Sequence, residues 1–244
     1  MNRFYCSISD VRGEKIIICD PGQVHHIKDV LRFEAGEKAM IFDNLGNVYA
    51  ARLVNISEKQ AEFRVVEKKL KADFKKVMIA VACAIPKKDK IDDIIDKLTQ
   101  LGVDRIIPLI SERVIVKMDK AKQAQRWKRW EKIALSASKQ SQRNSVPIVE
   151  PVTDFAELIG RVGEFDLKLI PNLLGERKTL KGCLSGKKPE SVLVLIGPEG
   201  DFTSEEINFA VKAGFIPVTF GDFVFRVETA AVYIASILQY ELNT

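Results

Sequence analysis

Residues 192–196, Val-Leu-Val-Leu-Ile, form an apolar run of strand length with no polar interruption. Such a run is expected of a strand buried on both faces. It stops at Gly197-Pro198-Glu199-Gly200. Pro198 presets one turn angle, and Gly200 relieves crowding where the chain reverses. Thr203 and Glu206 stand at capping-box spacing and predict a helix that runs to Gly214. A second apolar strand, 216–220, ends at Gly221-Asp222. A short segment, 223–228, then leads into a last helix from about Thr229.

Two strands thus end in glycine-bearing loops that precede helix starts. Open α/β sheets bind ligands at the carboxyl ends of such strands. Glycine admits a ligand close to the backbone, and a helix N-terminus presents the positive end of its dipole. Each turn alone is equally an ordinary strand-to-helix connection. Arg226 and Glu228 shift the balance, because two charges between buried elements are uncommon unless paired or used.

The rest of the second half repeats the alternation. Strands are expected over 77–85, 105–110 and 167–170, the last stopping at Pro171. Helices are expected over 89–101, over 121–141 with Ala124, Trp127, Trp130, Ala134 and Ala137 inward, and over 153–162. The segment 175–190 is too irregular to assign. Alternating strands and helices predict an α/β domain with a mostly parallel sheet. Residues 1–71 read differently, as short strands over 15–19, 39–42, 48–54 and 61–66, with a reversal at 43–47. A helix over 25–33 would bury Ile27, Val30 and Leu31. This spacing suggests a small closed β-barrel. Charged residues 67–73 look like a linker, so the expected domains are 1–72 and 73–244.

At 46% hydrophobic and 29% charged, the 244-residue chain has the composition of a soluble globular protein. No apolar run is long enough to span a membrane, and the N-terminus lacks a signal peptide's apolar core, so a cytoplasmic location is expected. Cys6, Cys19, Cys83 and Cys183 have no metal or redox spacing and read as reduced thiols. His25 and His26 are adjacent, so their side chains diverge, and no metal site is expected. Between Ser111 and Ser145 ten bases face three acids, a local charge of +7 that exceeds the +5 of the whole chain. Such a zone is either a nucleic-acid footprint or a solvated helix face.

The motif IGPEGDFTSEE, followed about twenty residues later by FRVETA, resembles the signature of the RsmE-type 16S rRNA uridine-N3 methyltransferases of the SPOUT superfamily. The similarity runs nearly end to end. His25-His26-Ile27 with Val30-Leu31-Arg32 resembles that family's PUA-like N-terminal barrel. Lys97 to Val103 resembles its K-x-T-E-L-G-V segment, with Gln100 where glutamate is usual. Ser111-Glu112-Arg113, Arg126-Trp127, Gln140-Ser141 with Arg143, and Val146-Pro147 follow its central basic region. Asp201 replaces a usual glycine, Phe220 a usual leucine, and Phe223 to Val227 a usual R-I-L-R-T.

The resemblance implies a SPOUT fold with a C-terminal trefoil knot, a homodimer, and methylation of uridine N3 near the decoding site of 16S rRNA in the small ribosomal subunit. It also implies S-adenosylmethionine held by Ile170, Pro171, Ile196, Gly197, Glu199, Gly200, Phe220, Gly221, Val224, Phe225, Arg226, Thr229 and Ala230. Phe220, Val224 and Phe225 either wall the adenine or pack as core. Thr229 either bonds the ligand or caps the last helix. N3 is a poor nucleophile while protonated, so a base must take its proton or a cation must stabilise the anion. Arg226 is the expected stabiliser; Glu199 or Glu228 is the base, or orients Arg226. Arg3, Lys28, Arg32, Arg113, Lys117, Arg126, Arg129 and Arg143 are the expected RNA contacts. Two alternatives remain at this stage: a related methyltransferase acting on another rRNA or tRNA base, and a non-catalytic RNA-binding protein.

Overall fold

The computed structural model describes residues 1–70, 76–87, 90–116, 118–173, 175–186 and 188–243. The expected boundary at residue 72 lies outside them. The chain divides into two compact units, one of Met1–Phe74 with Ser138–Val146, the other of Lys75–Ala137 with Pro147–Thr244. The inserted Ser138–Val146 piece is tied into the first unit by polar contacts. Arg3 Nη2 donates to Arg143 O at 3.1 Å and to Asn144 Oδ1 at 2.6 Å, and Val146 N donates to Asn44 Oδ1 at 2.5 Å.

The first unit is a curled sheet of β1 (Asn2–Tyr5), β2 (Val11–Arg12), β3 (Lys15–Ile18), β4 (Lys38–Phe42), β5 (Asn47–Ile56) and β6 (Ala61–Leu70), in the order β1-β4-β5-β6-β3-β2. Two register shifts between β5 and β6, at Ala50/Ala51 and Leu53/Asn55, bend the two long strands. Phe4, Ile16, Ile18, Ile27, Ile41, Leu53 and Phe63 fill the interior. The helix expected over 25–33 starts earlier. Pro21 opens α1 (Pro21–His25) behind an Asp20 cap that accepts from Gln23 N at 2.8 Å. It then widens into a π-turn over His26–Val30. The wider turn breaks the i, i+3 alignment, so Ile27 is buried but Val30 is exposed, contrary to expectation.

The second unit is built on β7 (Met78–Ala84), β8 (Arg105–Ile110), β9 (Ile148–Val149), β10 (Thr153–Asp154), β11 (Leu167–Pro171), β12 (Lys178–Thr179), β13 (Ser191–Ile196) and β14 (Ile216–Thr219). The order is β10-β8-β7-β13-β11-β14-β12, with β9 beside β8, and every pairing is parallel. β7 and β13 are buried almost throughout, as the apolar runs require. The helices are α2 (Lys90–Gln100), α3 (Lys120–Gln140), α4 (Phe155–Ile159), α5 (Leu180–Leu184), α6 (Ser204–Lys212) and α7 (Val227–Asn243). On α2, Ile91, Ile94, Ile95 and Leu98 face inward. α7 packs on α2 and on β7.

Several local expectations change. Ala124 of α3 is exposed, not inward, while Trp130 is fully buried and Trp127 donates its indole N–H to Val149 O at 2.8 Å. Thr153 pairs with Leu109 in β10, so α4 begins only after Asp154. The unassigned 175–190 segment holds β12 and α5, the latter capped by Thr179, which accepts from Gly182 N at 3.1 Å. α7 begins at Val227, two residues before the expected Thr229.

Candidate active site

The strand order puts β13, β11 and β14 side by side, so their three following loops meet at one edge of the sheet. They border a cavity of about 250 Å³ lined by Pro171 to Leu173, Arg177, Ile196 to Glu199, Asp201, Val218 to Gly221, Phe223 to Val227, and Ala230. One wall is aromatic. The Phe220 and Phe225 rings stack at 6.0 Å with 27° between planes, and Tyr233 backs both at 5.2 and 5.0 Å. Phe223 and Val224 are exposed at the cavity, at 78% and 72%.

The loop after β13 is drawn tight by Asp201. Its backbone is left-handed at φ +59°, a conformation that favours glycine. Aspartate tolerates it, and the carboxylate adds two bonds: Oδ1 accepts from Phe202 N at 2.8 Å and Oδ2 from Leu173 N at 3.0 Å. The second bond ties the β13 loop to the β11 loop. A Cβ at Gly197 would stand 3.0 Å from Asp201 Oδ1 and 3.2 Å from Phe202 N, so only glycine fits there without displacement. Arg113 Nη1 closes the turn from outside by donating to Gly200 O at 2.6 Å.

Charge gathers beside the cavity. Arg226 and Glu199 line it and are exposed. Glu199 Oε1 accepts from Lys87 N at 3.1 Å. Glu228 does not line the cavity; its Oε1 receives Lys90 Nζ at 2.6 Å. Burial favours the neutral acid of Glu228, but the Lys90 bond, its own backbone N–H and the nearby Arg226 outweigh it and hold the carboxyl below its ordinary range. Burial, with the Glu228 and Glu199 charges, pushes the Cys83 thiol far up, so it stays protonated and inert. Among the described residues no group of three histidine, cysteine or acidic side chains is placed to hold a metal.

Of the expected cofactor residues, Pro171, Ile196, Gly197, Glu199, Phe220, Gly221, Val224, Phe225, Arg226 and Ala230 line the cavity together. Ile170, Gly200 and Thr229 do not. Ile170 points into the core, and Thr229, left exposed in the first turn of α7 by that helix's early start, neither caps the helix nor reaches the cavity. Asn172, Leu173, Arg177, Pro198, Asp201, Val218, Thr219, Phe223 and Val227 line it without having been expected to hold the cofactor. Asp201, Phe223 and Val227 carried a signal, as departures from the residues usual in the family.

The expected RNA contacts divide. Arg3 is committed to Arg143 and Asn144, and burial lowers its pKa. Lys28 pairs with Glu58, and Arg129 Nη2 with Asp92 Oδ2 at 2.5 Å. Arg32 is exposed, Arg113 is exposed but bonded to Gly200 O, and Arg126 and Arg143 are half-buried. Lys117 lies outside the described residues.

Comparison with known proteins fits this geometry. Residues 73–239 match the RNA methyltransferase domain family, and residues 18–66 the RNA methyltransferase PUA domain family. The ribosomal RNA small subunit methyltransferase E of Bacillus subtilis (strain 168) is 31% identical over 224 residues, spanning 90% of this chain and 88% of the relative. The protein of the same name from Mesomycoplasma hyopneumoniae (strain 232) is 30% identical over 234 residues, spanning 96% and 97%. The crystal structure of ribosomal RNA small subunit methyltransferase E from Neisseria gonorrhoeae, bound to S-adenosyl methionine, superposes with a TM-score of 0.87 at 31% identity, over 99% of this chain and 98% of that one. Sequence and shape agree over the same residues: this chain belongs to the RNA methyltransferase family and has its SPOUT-type fold, joined to a PUA-like N-terminal unit.

Proposed function

We propose that this chain is an S-adenosylmethionine-dependent methyltransferase acting on N3 of a uridine in 16S rRNA, as a homodimer in the cytoplasm with the small ribosomal subunit as substrate. The observation that carries the reading is the cavity at the ends of β11, β13 and β14, with an apolar wall on one side and Arg226 on another. The residues fit the cofactor's chemistry. Val218, Phe220, Val224 and Phe225 suit an adenine ring, and the Asp201 carboxylate suits a cationic amino-acid end. Bound there, S-adenosylmethionine supplies an electrophilic methyl group on a sulfonium, and the reaction leaves S-adenosylhomocysteine and a proton.

The protein's own task is to make N3 nucleophilic. Glu199, exposed and lining the cavity, is the carboxylate assigned to take the N3 proton; Glu228 does not line the cavity and is engaged by Lys90. Arg226 offers paired planar donors to the uracil oxygens as negative charge develops on them. N3 lies on the Watson–Crick edge, so the base is unpaired or flipped when it reacts. Arg32, Arg113, Arg126 and Arg143 hold the phosphates, and the PUA-like unit binds RNA. The C-terminal segment forms the trefoil knot. Its support is that β14 lies beside β11, not beside β13 which precedes it, and that α7 returns to pack on α2 and β7.

The test is methylation of small subunits, free 16S rRNA and tRNA, with the product nucleoside identified by mass spectrometry. The expected product is 3-methyluridine from small-subunit RNA. Arg226→Ala is expected to lower kcat by about 10²–10³ while calorimetric affinity for S-adenosylmethionine stays within about twofold. Methylation of tRNA instead, or of another base, would remove the proposed substrate.

A further inference from the structure

Lys90 opens α2 and Glu228 is the second residue of α7. The two helices pack together, so their first turns meet beside the cavity. There Lys90 Nζ and Glu228 Oε1 lie 2.6 Å apart, with the two side chains 36% and 25% exposed. Arg226 stands one residue before α7, lines the cavity, and makes no ion pair among the described residues. Three charges, in the order Lys90, Glu228, Arg226, thus share one partly shielded corner.

We propose that Lys90 is a positioning residue: by engaging the Glu228 carboxylate it leaves the Arg226 guanidinium free to face the RNA base. The inference rests on the methyltransferase reading. A partly desolvated carboxylate left without its partner seeks the nearest cation. For Glu228 that cation is Arg226, two residues away and close enough to act on its charge. An Arg226–Glu228 pair would draw the guanidinium out of the cavity. Charge alone at position 90 is enough to engage the carboxylate, so arginine can replace lysine.

The test compares wild type with Lys90→Met, Lys90→Arg and the double variant Lys90→Met/Glu228→Gln in the full chain. It measures kcat and KM on small ribosomal subunits, and S-adenosylmethionine affinity by calorimetry. Lys90→Met is expected to lose at least about tenfold in kcat with cofactor affinity unchanged, a split that marks loss of a transition-state contact. Lys90→Arg should retain activity. The double variant should recover most of it, because no carboxylate remains to capture Arg226; a merely structural pair would shift the thermal midpoint and leave kcat of the folded enzyme unchanged. Full activity in Lys90→Met, or a double variant as slow as the single one, overturns the proposal. Should Lys90→Met fail to fold, Lys90→Gln gives the same comparison. A wild type that binds S-adenosylmethionine yet methylates no RNA would overturn the methyltransferase reading itself, and is told apart by being seen before any substitution is made.

Discussion

At the reversal between β4 and β5, Asp43 gathers four donors. It accepts from Leu45 N at 3.0 Å, Asn47 N at 3.2 Å, Asn47 Nδ2 at 2.6 Å and Tyr49 Oη at 3.0 Å. Burial favours its neutral acid, but the bonds from Asn47, Leu45 and Tyr49 prevail and hold the carboxyl below its ordinary range. Tyr49 moves the other way: burial and then the bond to Asp43 push its hydroxyl to about 12. The signs follow. Stability from Asp43 is present above the ordinary carboxylate pKa and is lost as pH falls through the depressed value. Stability from Tyr49 is complete below its unfolded pKa of about 10 and is lost as pH rises through about 12. Asp43→Ala is expected to destabilise by ~2–3 kcal/mol, because Tyr49 Oη and the Leu45 and Asn47 backbone N–H groups lose their acceptor. An unchanged urea midpoint would show that water replaces the carboxylate. The reversal itself is readable from Asp43 to Asn47, but the acceptor cluster is not, since it depends on Tyr49 arriving from the next strand.

Among the helices, α6 is the one whose start the sequence states most openly. Both arms of its capping box are present: Glu206 N donates to Thr203 Oγ1 at 3.2 Å, and Thr203 N to Glu206 Oε2 at 2.9 Å. The other Glu206 oxygen accepts from Glu112 N at 2.9 Å, so the cap also ties down the loop after β8. Thr203→Ala is expected to cost ~1 kcal/mol, read as a lowered thermal midpoint. Helix α2 is equally legible, because four apolar side chains at helical spacing outweigh its charged face. Helices α3 and α7 are less so. The exposure of Ala124 and the start of α7 at Val227 are set by what each helix packs against, and alanine or valine carries no mark of that choice. β12 and α5 are too short to show any period, and each exists because a neighbour pairs with it or caps it.

For the whole molecule, the basic excess predicts RNA affinity that falls with salt. Replacing Arg32, Arg126 and Arg143 together by alanine should reduce the slope of log K against log salt by about 2, if each holds one phosphate. Anisotropy titrations of a small-subunit RNA fragment between about 50 and 200 mM salt would measure it. An unchanged slope would assign these arginines to structure, as the contacts of Arg3, Lys28 and Arg129 already are. The sequence by itself determined the alternation of buried strands and helices and the two glycine loops, because apolar period and turn chemistry are local properties; most of the residues around the cavity were implied by the family resemblance. Only the tertiary structure decided that β11 stands between β13 and β14, that Asp201 ties two of the loops together, and that Lys90 pairs with Glu228. Those are pairings between residues 25 to 138 positions apart, and no local pattern encodes which distant partner a strand edge or a charge will meet.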